Sequence, residues 1–365
     1  MKFDPFELER WLSESRLKVD FDLSASVITY FKYNELIGEK DLDVPIRIGP
    51  TNGSELLREE ICKLYRGYVD IESILVTHGA AEGNLILLNH LIDPGDECIF
   101  FVPNYLQAYG VLKAIGAKIK LSHLDSNNEY RPDIEGLKSL VTRKTKAILL
   151  TNPNNPVGSI MTPDELKAIC DIAQSCSAYV IDDEDLAGLE IEDKSSPTPI
   201  ELYEKGIVTR SVSKLGMSGL RVGWIAARDP ALIRGCWSIK DYTTLGNSFF
   251  NQHIAAVALK NLEKIKKRNR KLLGDRLAIL EKWVDEKRDH LLWAKPKAGA
   301  TALIRYKFNI DSIDFCIRLM RDASVALSPG DHFMEPRSFR MLFGTDENRL
   351  SQALERIGQA LVQIE

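Results

Sequence analysis

The stretch from Ser211 to Trp224 places a lysine between hydroxyl residues and glycines, with an arginine seven positions further on. Lysine is a poor nucleophile while it is protonated, so chemistry at the amine of Lys214 requires a pKa lowered by burial or by a nearby cation. The hydroxyls of Ser211 and Ser213 and the guanidinium of Arg221 suit the oxygens of a phosphate. A reactive amine beside such donors is what a phosphorylated aldehyde cofactor requires. A surface lysine in a Ser/Gly loop is the alternative.

Two further groups of residues follow predicted strands. Residues 77–83 (THGAAEG) lead from a strand through small residues into a helix, where free N–H groups and the helix dipole favour a phosphate. Tyr105 follows the strand predicted at 97–102, and its ring is able to stack on a flat heteroaromatic ligand. A tight strand–helix turn and a packing tyrosine are the structural alternatives.

Residues 151–158 (TNPNNPVG) form the fourth group at a strand end. Two prolines and a glycine fix an irregular turn and hold the amide of Asn155 rigidly. A structural turn is the alternative, but a turn needs fewer special residues than these. The stretch therefore favours a functional role.

Four acidic residues, Asp182 to Asp185, come directly after an apolar predicted strand. Crowded carboxylates repel one another, so a compensating cation or a pair of metals is expected. A Mg²⁺ site thus competes with a carboxylate that faces a protonated ring nitrogen. The chain has no Gly-x-x-x-x-Gly-Lys-Ser/Thr loop, which weakens the nucleotide–metal interpretation.

Arg340 lies inside an apolar predicted strand near the end of the chain. An unpaired guanidinium is costly in such surroundings. We therefore expect Arg340 to face a carboxylate, either from the protein in an ordinary ion pair or from a substrate.

Alternating strands and amphipathic helices have to position these residues. Continuous apolar strands with helices between them indicate a mostly parallel sheet covered on both faces, and ligands of such sheets lie at the carboxyl ends of the strands. A long charged helical region at 251–287 leads to a smaller α+β domain with strands at 302–306 and 339–343. The predicted strands of the sheet are 74–77, 97–102, 118–121, 147–151, 178–181, 207–211 and 223–227.

Composition limits the classes of protein that remain. A hydrophobic content of 44%, a charged content of 27% and a formal net charge of −4 are those of a globular protein with no basic patch for nucleic acid. The six cysteines are scattered without metal-ligand spacing, which predicts reduced thiols. Neither a signal peptide nor a window of about 18 apolar residues is found, so we predict a cytoplasmic protein without contact to membranes or nucleic acid.

Taken in order, the motifs resemble those of the class I/II aminotransferases, pyridoxal-phosphate enzymes of fold type I. Each motif is weak alone, but together they are highly specific and cover nearly the whole chain. The matching segments are 49–53 (GPTNG), 57–58, 154–158 (NNPVG), 183–184, 211–214, 219–224, 328–330 (SPG) and 339–340.

The resemblance implies an α/β architecture with a seven-stranded type of sheet and a smaller α+β domain. Residues 1–45 would form an N-terminal segment that contributes to the small domain, 46–255 the large cofactor-binding domain and 256–365 the C-terminal small domain. It also implies a homodimer with each active site at the interface.

The resemblance further assigns roles to single residues. Lys214 would form the internal aldimine with pyridoxal 5′-phosphate and then shuttle a proton, and Asp183 would keep the ring nitrogen protonated so that the ring accepts electrons. Arg340 would clamp the α-carboxylate of the substrate in a bidentate pair, with Asn155 and the Ser24–Ala25 stretch touching the substrate. The implied cofactor contacts are Ala80, Ala81, Tyr105, Asn155, Asp183, Ser211, Ser213, Lys214 and Arg221.

Two positions and one interval depart from the family pattern. Leu186 stands where a tyrosine commonly contacts the ring oxygen, and Ile48 where a tyrosine often reaches the phosphate of the partner subunit. The interval from Lys214 to Arg221 is one residue shorter than the common one.

The implied activity is transfer of an amino group from an amino acid to a 2-oxo acid. The same cofactor chemistry also supports elimination, decarboxylation or cyclisation, as in the relatives of capreomycidine synthase. A cofactor-sensing regulator is less favoured, because too few residues precede 49–53 for a DNA-binding module. A Mg²⁺ enzyme that uses Asp182 to Asp185 would leave Lys214 and Arg340 unexplained, so no metal is predicted.

Overall fold

The computed structural model describes residues 2–15, 19–192 and 194–363. The helices, labelled in chain order, are α1 Glu7–Ser15, α2 Tyr33–Leu36, α3 Glu55–Cys62, α4 Ala80–Leu91, α5 Gln107–Ile115, α6 Ile134–Leu140, α7 Pro163–Ser175, α8 Pro199–Leu202, α9 Pro230–Lys240, α10 Phe249–Lys260, α11 Leu262–Glu286, α12 Ser312–Ala323 and α13 Glu347–Leu361. The strands are β1 Phe21–Asp22, β2 Ile74–Thr77, β3 Glu97–Val102, β4 Lys118–Asp125, β5 Arg131–Pro132, β6 Thr145–Thr151, β7 Tyr179–Asp183, β8 Gly206–Ser211, β9 Gly223–Ala227, β10 Leu291–Trp293, β11 Thr301–Tyr306, β12 Val325–Ala326, β13 Ser328–Pro329 and β14 Ser338–Leu342.

The large sheet has the order β2-β9-β8-β7-β6-β3-β4-β5, in which β5 is a two-residue edge strand. Its seven longer strands are those predicted from the apolar runs, and β2, β3 and β9 have the predicted bounds. Strands β8, β7, β6, β3 and β4 run parallel, as predicted. The central positions of β3, β6, β7 and β8 are buried because helices cover both faces of the sheet.

Strand β9 runs against both of its neighbours, β8 and β2. A parallel neighbour requires a crossover of about a dozen residues or more, usually with a helix. The short irregular segment 212–222 joins β8 directly to β9 instead, so the chain turns back at the carboxyl end of β8. Since β2 opposes β9, it points the same way as β8. The carboxyl ends of β2, β3, β6, β7 and β8 therefore lie along one edge.

The smaller sheet is antiparallel, with the order β10-β11-β14-β13. Near the N-terminus, β1 pairs with β12, so that Phe21 lies opposite Val325. The charged region predicted as one helix is two, α10 and α11, which separate at Asn261. None of the helices in the described parts of the chain combines the length and apolar character that crossing a membrane requires.

Candidate active site

A cavity of about 560 Å³ opens at the carboxyl edge of the large sheet. Segments far apart in sequence meet there because the strand ends before each motif are aligned. The cavity brings together every residue for which a cofactor contact was expected: Ala80, Ala81, Tyr105, Asn155, Asp183, Ser211, Ser213, Lys214 and Arg221.

Lys214 lies in the irregular segment between β8 and β9, with its side chain at the bottom of the cavity. Its Nζ donates a hydrogen bond of 2.8 Å to Oγ of Ser26. Gly216 has φ of 101°, and a Cβ there would lie 3.1 Å from the carbonyl oxygen of Thr29, so glycine allows the close approach to the Ser26 segment. Burial lowers the pKa of Lys214, helped by the charge of Arg340, while Asp185 and Asp183 oppose the effect.

Asp183 ends β7 and reaches the cavity. Its Oδ2 accepts a hydrogen bond of 3.1 Å from Nδ2 of Asn84, and its Oδ1 accepts one from the backbone N–H of Asp185. Burial and the charge of Asp185 raise the pKa of Asp183 to about 7. A protonated ring nitrogen at this carboxylate would stabilise its charged form.

Asn84 is a site residue that the sequence interpretation missed. It lies on α4 and is 4% exposed, and its Oδ1 accepts a hydrogen bond of 2.7 Å from Oγ1 of Thr209. That bond fixes which end of the amide faces Asp183. The available signal was a polar residue one helical turn after the small residues at the start of α4.

The four acids at 182–185 do not converge on a metal. Side chains alternate between the two faces of a strand, so Asp182 turns to the backbone N–H of Asn152 and Asp183 turns to Asn84. Beyond the strand, Glu184 approaches Arg210 at 3.8 Å, and Asp185 accepts a hydrogen bond from Ser211. Within the described residues no three Asp, Glu, His or Cys side chains form a metal site. The Mg²⁺ alternative therefore finds no support.

The N-terminus of α4 and Arg221 form an anion cradle at one end of the cavity. Gly79 caps the helix with φ of 79°, and a Cβ there would lie 2.6 Å from Nη2 of Arg221. Gly223 is equally constrained, because a Cβ would lie 2.5 Å from the carbonyl carbon of Gly79. The guanidinium donates to the carbonyl oxygen of His78 at 3.3 Å, so the shorter interval after Lys214 still brings Arg221 to the cradle.

The two serines before Lys214 differ in their partners. Oγ of Ser211 donates a hydrogen bond of 2.5 Å to Oδ1 of Asp185 and accepts one from the backbone N–H of Ser213. Oγ of Ser213 lies 3.5 Å from Nη1 of Arg221. Ser213 therefore belongs to the cradle, whereas the hydroxyl proton of Ser211 is engaged by a carboxylate.

Tyr105 and Asn155 both line the cavity. The hydroxyl of Tyr105 donates a hydrogen bond of 2.7 Å to Oε1 of Glu9, and its ring packs edge-on against Phe6 with ring centres 5.1 Å apart. Asn155 is 7% exposed and its Oδ1 accepts a hydrogen bond of 3.0 Å from Nη1 of Arg340. Both side chains are thus held in place at the cavity.

Arg340 and Ser24 are each 1% exposed and lie behind the wall of the cavity. Nη2 of Arg340 donates a hydrogen bond of 2.8 Å to the carbonyl oxygen of Ser24, while Ala25 reaches the cavity itself. Nε of Arg340 is buried without a hydrogen-bond partner, and no acidic side chain of the described residues pairs with the guanidinium. An ordinary ion pair within the protein therefore does not explain Arg340. Ser24 holds the arginine through its backbone.

The N-terminal helix covers the cavity, which the sequence did not indicate. Phe6, Glu9 and Leu12 line it from α1 and the residue before that helix, and Ala25 and Ser26 line it beside them. The side chain of Trp11 anchors α1, because its Nε1 donates to the carbonyl oxygen of Leu327 at 2.7 Å. Nothing in the local sequence of this amphipathic helix shows which surface it covers.

The geometry fits pyridoxal phosphate. The anion cradle lies at one end of the cavity, and Lys214 lies two residues before the turn that Gly216 allows. Asp183 has a raised pKa and forms no ion pair within the described residues. A volume of about 560 Å³ also lies in the range of small-molecule sites.

Comparison with known proteins agrees with this arrangement. Residues 45–357 match the family model for aminotransferase class I and II. A pyridoxal-phosphate-dependent aminotransferase from Streptococcus suis 89-1591 superposes with a TM-score of 0.94 at 30% identity, over 100% of this chain and 99% of the other. Aspartate aminotransferase of Thermotoga maritima is 27% identical over 96% of this chain and 98% of its own length.

Two similar proteins carry other names. Capreomycidine synthase of Streptomyces vinaceus is 27% identical over 97% of this chain and 93% of its own length. The pyridoxal-phosphate-dependent cyclase OrfR superposes with a TM-score of 0.91 at 25% identity, over 100% of this chain and 99% of the other.

The cradle, the acid and the lysine thus lie within a fold of type I, and the chain belongs to the class I and II aminotransferase family. It is a pyridoxal-phosphate-dependent transferase, as the motif order predicted.

Proposed function

We propose that the cavity transfers an amino group from an amino acid to a 2-oxo acid, with Lys214 as the residue that bonds the cofactor and moves the proton. The single observation that carries this assignment is the convergence of Lys214, Asp183 and the α4 cradle in one cavity. When bound, pyridoxal phosphate supplies an aldehyde carbon that bonds amines and a ring that accepts the electron pair left at Cα.

The remaining residues would bind and orient. The backbone N–H groups of Ala80 and Ala81, with Ser213 and Arg221, would hold the phosphate. Ser211 would join them once its hydroxyl leaves Asp185. Lys214 has a lowered pKa, so its neutral amine is accessible to take a proton from the substrate Cα and to return it.

Asp183, Asn155 and Tyr105 would fix the ring at its nitrogen, at its oxygen and on its face. Asn84 keeps the carboxylate of Asp183 oriented through a bond of 3.1 Å. Leu186 is 2% exposed, packs near Gly299 and brings no hydroxyl to the site, so Asn155 would be the donor at the ring oxygen.

Arg340 would bind the substrate α-carboxylate. Its Nε has no partner within the described chain, and the carbonyl oxygen of Ser24 and the amide of Asn155 hold the guanidinium in the plane that a bidentate pair requires. Ala25 would touch the substrate from the side of the N-terminal segment.

A homodimer in the cytoplasm forms part of the proposal. Ile46 and Ile48 are 103% and 56% exposed, and Tyr242 is 92% exposed; apolar and aromatic side chains of this kind are common at subunit interfaces. Ile48 would then lie at the subunit interface. The division at residues 45 and 255 also stays a prediction, supported at the N-terminal end by the pairing of β1 with β12.

An amine-transfer assay tests the function. Purified protein loaded with pyridoxal phosphate is given a panel of amino acids with and without a 2-oxo acid acceptor. Formation of a new keto acid only when the acceptor is present supports transfer. No reaction with any amino acid would overturn it.

Cyclisation or elimination at the same site is the second candidate. The similarity to capreomycidine synthase and to the cyclase OrfR over nearly the whole chain favours it. In the same assay, a product that forms without acceptor would favour this candidate over transfer: a cyclised product retains its α-amino group, whereas elimination releases a 2-oxo acid and ammonia.

A further inference from the structure

Three carboxylates line the cavity, and they differ in what holds them. Asp183 accepts hydrogen bonds from Asn84 and from a backbone N–H, and Asp185 accepts one from Ser211. Glu9 accepts a single bond, from the hydroxyl of Tyr105 to Oε1. Among the described residues its Oε2 has no hydrogen-bond partner and its charge has no ion pair. Glu9 is thus the carboxylate that remains available to a ligand.

The surroundings of Glu9 are suited to a particular kind of side chain. Phe6 and Leu12 line the same side of the cavity from one turn before and one turn after Glu9. The ring of Tyr105 continues this apolar surface. An apolar passage that ends at a carboxylate suits a methylene chain with a cationic end, since such side chains bury their stem and keep the charge at a polar partner.

The charge of Glu9 acts on the two groups that would hold the substrate backbone. It opposes the lowering of the pKa of Lys214 and of Arg340 that burial causes. Glu9 also lines the same cavity as Lys214 and is exposed, so its carboxylate is open to a substrate side chain in that cavity.

The cations at the cavity already have assignments. Arg221 lies in the phosphate cradle, Lys214 bonds the cofactor and Arg340 receives the α-carboxylate in the proposed function. The described part of the cavity wall offers no further lysine or arginine for the second carboxylate of an acidic substrate. Such a carboxylate would instead meet the like charge of Glu9.

We propose that Glu9 is a specificity-determining residue, which selects amino acids whose side chain ends in an ammonium or guanidinium group. The carboxylate binds that cation while Phe6 and Leu12 cover the methylene stem. This inference rests on the proposed function, because the same cavity has to bind the amino acid. It differs from the acidic specificity in the names of relatives such as the Thermotoga maritima aspartate aminotransferase.

The test compares side chains of similar length and different charge. The values of kcat/KM for lysine, ornithine and arginine are measured against those for norleucine, which lacks the terminal amine of lysine, and for aspartate and glutamate. We expect kcat/KM for a cationic substrate to exceed that for norleucine by about tenfold or more, which is the effect of a hydrogen bond to a charged group. Comparison of kcat/KM for lysine and ornithine with that for arginine shows whether the site prefers an ammonium or a guanidinium group.

Glu9→Gln is the decisive variant, because the amide oxygen still accepts the Tyr105 hydroxyl while the charge is gone. We expect it to reduce the ratio of kcat/KM for a cationic substrate to kcat/KM for norleucine by about tenfold. Glu9→Lys should shift the preference towards aspartate or glutamate. Glu14→Gln, an exposed residue of the same helix, is the matched control and should keep the wild-type ratio.

A binding measurement adds a readout that does not depend on turnover. The α-methyl derivatives of lysine, norleucine and aspartate have no proton at Cα, so they bind without reacting further. Wild-type protein should gain more thermal stability from α-methyl-lysine than from the other two, and Glu9→Gln should lose that difference.

Two different failures are distinguishable. If amine transfer occurs but aspartate or norleucine is preferred, or if Glu9→Gln keeps the wild-type selectivity, the role of Glu9 is overturned while the proposed function stands. If no amino acid reacts and no derivative stabilises the loaded protein, the proposed function fails first.

Discussion

The cavity has a floor and a roof that are built in different ways. The floor comes from segments that each follow or adjoin a strand of the large sheet, and it consists of Ala80, Asn155, Asp183, Ser211 and Lys214. The roof comes from the N-terminal segment and consists of Phe6, Glu9, Leu12, Ala25, Ser26 and Val27. Hydrogen bonds within the sheet edge fix the floor, whereas the roof depends on a few long-range contacts such as Trp11 to Leu327. From this difference we infer that residues of the floor carry out the chemistry and residues of the roof select the substrate.

Removal of Lys214 is expected to have the largest effect and to act through the floor alone. Lys214→Ala should lower the rate of amine transfer by at least about a thousandfold, because the nucleophile and the proton carrier are lost together. The rate with the preferred amino acid is measured with saturating pyridoxal phosphate. Lys205→Ala, at a lysine on the protein surface whose Nζ donates to the carbonyl oxygen of Ser177, is the control. A variant that keeps even a tenth of the rate would contradict the role of Lys214.

Arg340 connects the floor to the roof, because it bonds both Asn155 and the backbone of Ser24. Arg340→Lys keeps the charge but loses the planar fork, so we expect kcat/KM to fall by about a hundredfold for every amino acid tested. Kinetics with cationic, neutral and acidic amino acids measure this uniform loss. Arg305→Lys, on the neighbouring strand β11, should have little effect. A loss of kcat/KM for only one substrate class would mean that Arg340 selects the side chain of the substrate rather than binding the α-carboxylate.

Asp183 allows a test of the floor without any cofactor. Its folded-state pKa, about 7, lies above the ordinary value of 3.8, so its contribution to stability is fully present below about pH 4 and is lost as the pH rises through 7. The ligand-free Asp183→Asn variant should therefore lose less stability than the wild type when the pH rises from about 5 to about 8, a range that contains the raised pKa of about 7. Thermal unfolding at both pH values measures the difference.

The control for this pH test is Asp164→Asn, an exposed acid in the first turn of α7. It should follow the wild-type pH dependence. Identical pH dependence of wild type and Asp183→Asn would contradict the raised pKa of Asp183.

Substitution of Ser26 is expected to have the smallest effect, because Ser26 in the roof contacts the floor through a single hydrogen bond, from Nζ of Lys214. Ser26→Ala removes the acceptor for Nζ of Lys214, which destabilises the charged amine and lowers its pKa further. The pH profile for reaction of ligand-free protein with pyridoxal phosphate should shift downwards, and kcat should change by at most about fivefold. Ser139→Ala on the surface is the control, and an unshifted profile for Ser26→Ala would mean that the contact is unimportant.

Most of the floor could be predicted because its residues follow strands that are themselves visible as apolar runs. Parallel strands align their carboxyl ends, so motifs after β3, β6, β7 and β8 had to meet. The sequence left the directions of some side chains open. The acids at 182–185 look like a metal site in sequence, yet the alternation along β7 and the turn after it send them to four different partners.

The sequence by itself determined the class of protein, the cofactor and the lysine, because strand periodicity and short motifs act over a few residues. Only the tertiary structure decided that Arg221 reaches the cradle, that Asn84 orients Asp183 and that Glu9 faces the substrate space. These contacts join residues that are distant in the chain, and packing rather than any local pattern sets their distance. In the sequence Glu9 is an ordinary polar residue of an amphipathic helix, and the docking of α1 brings it to the cavity, where it accepts the hydroxyl of Tyr105.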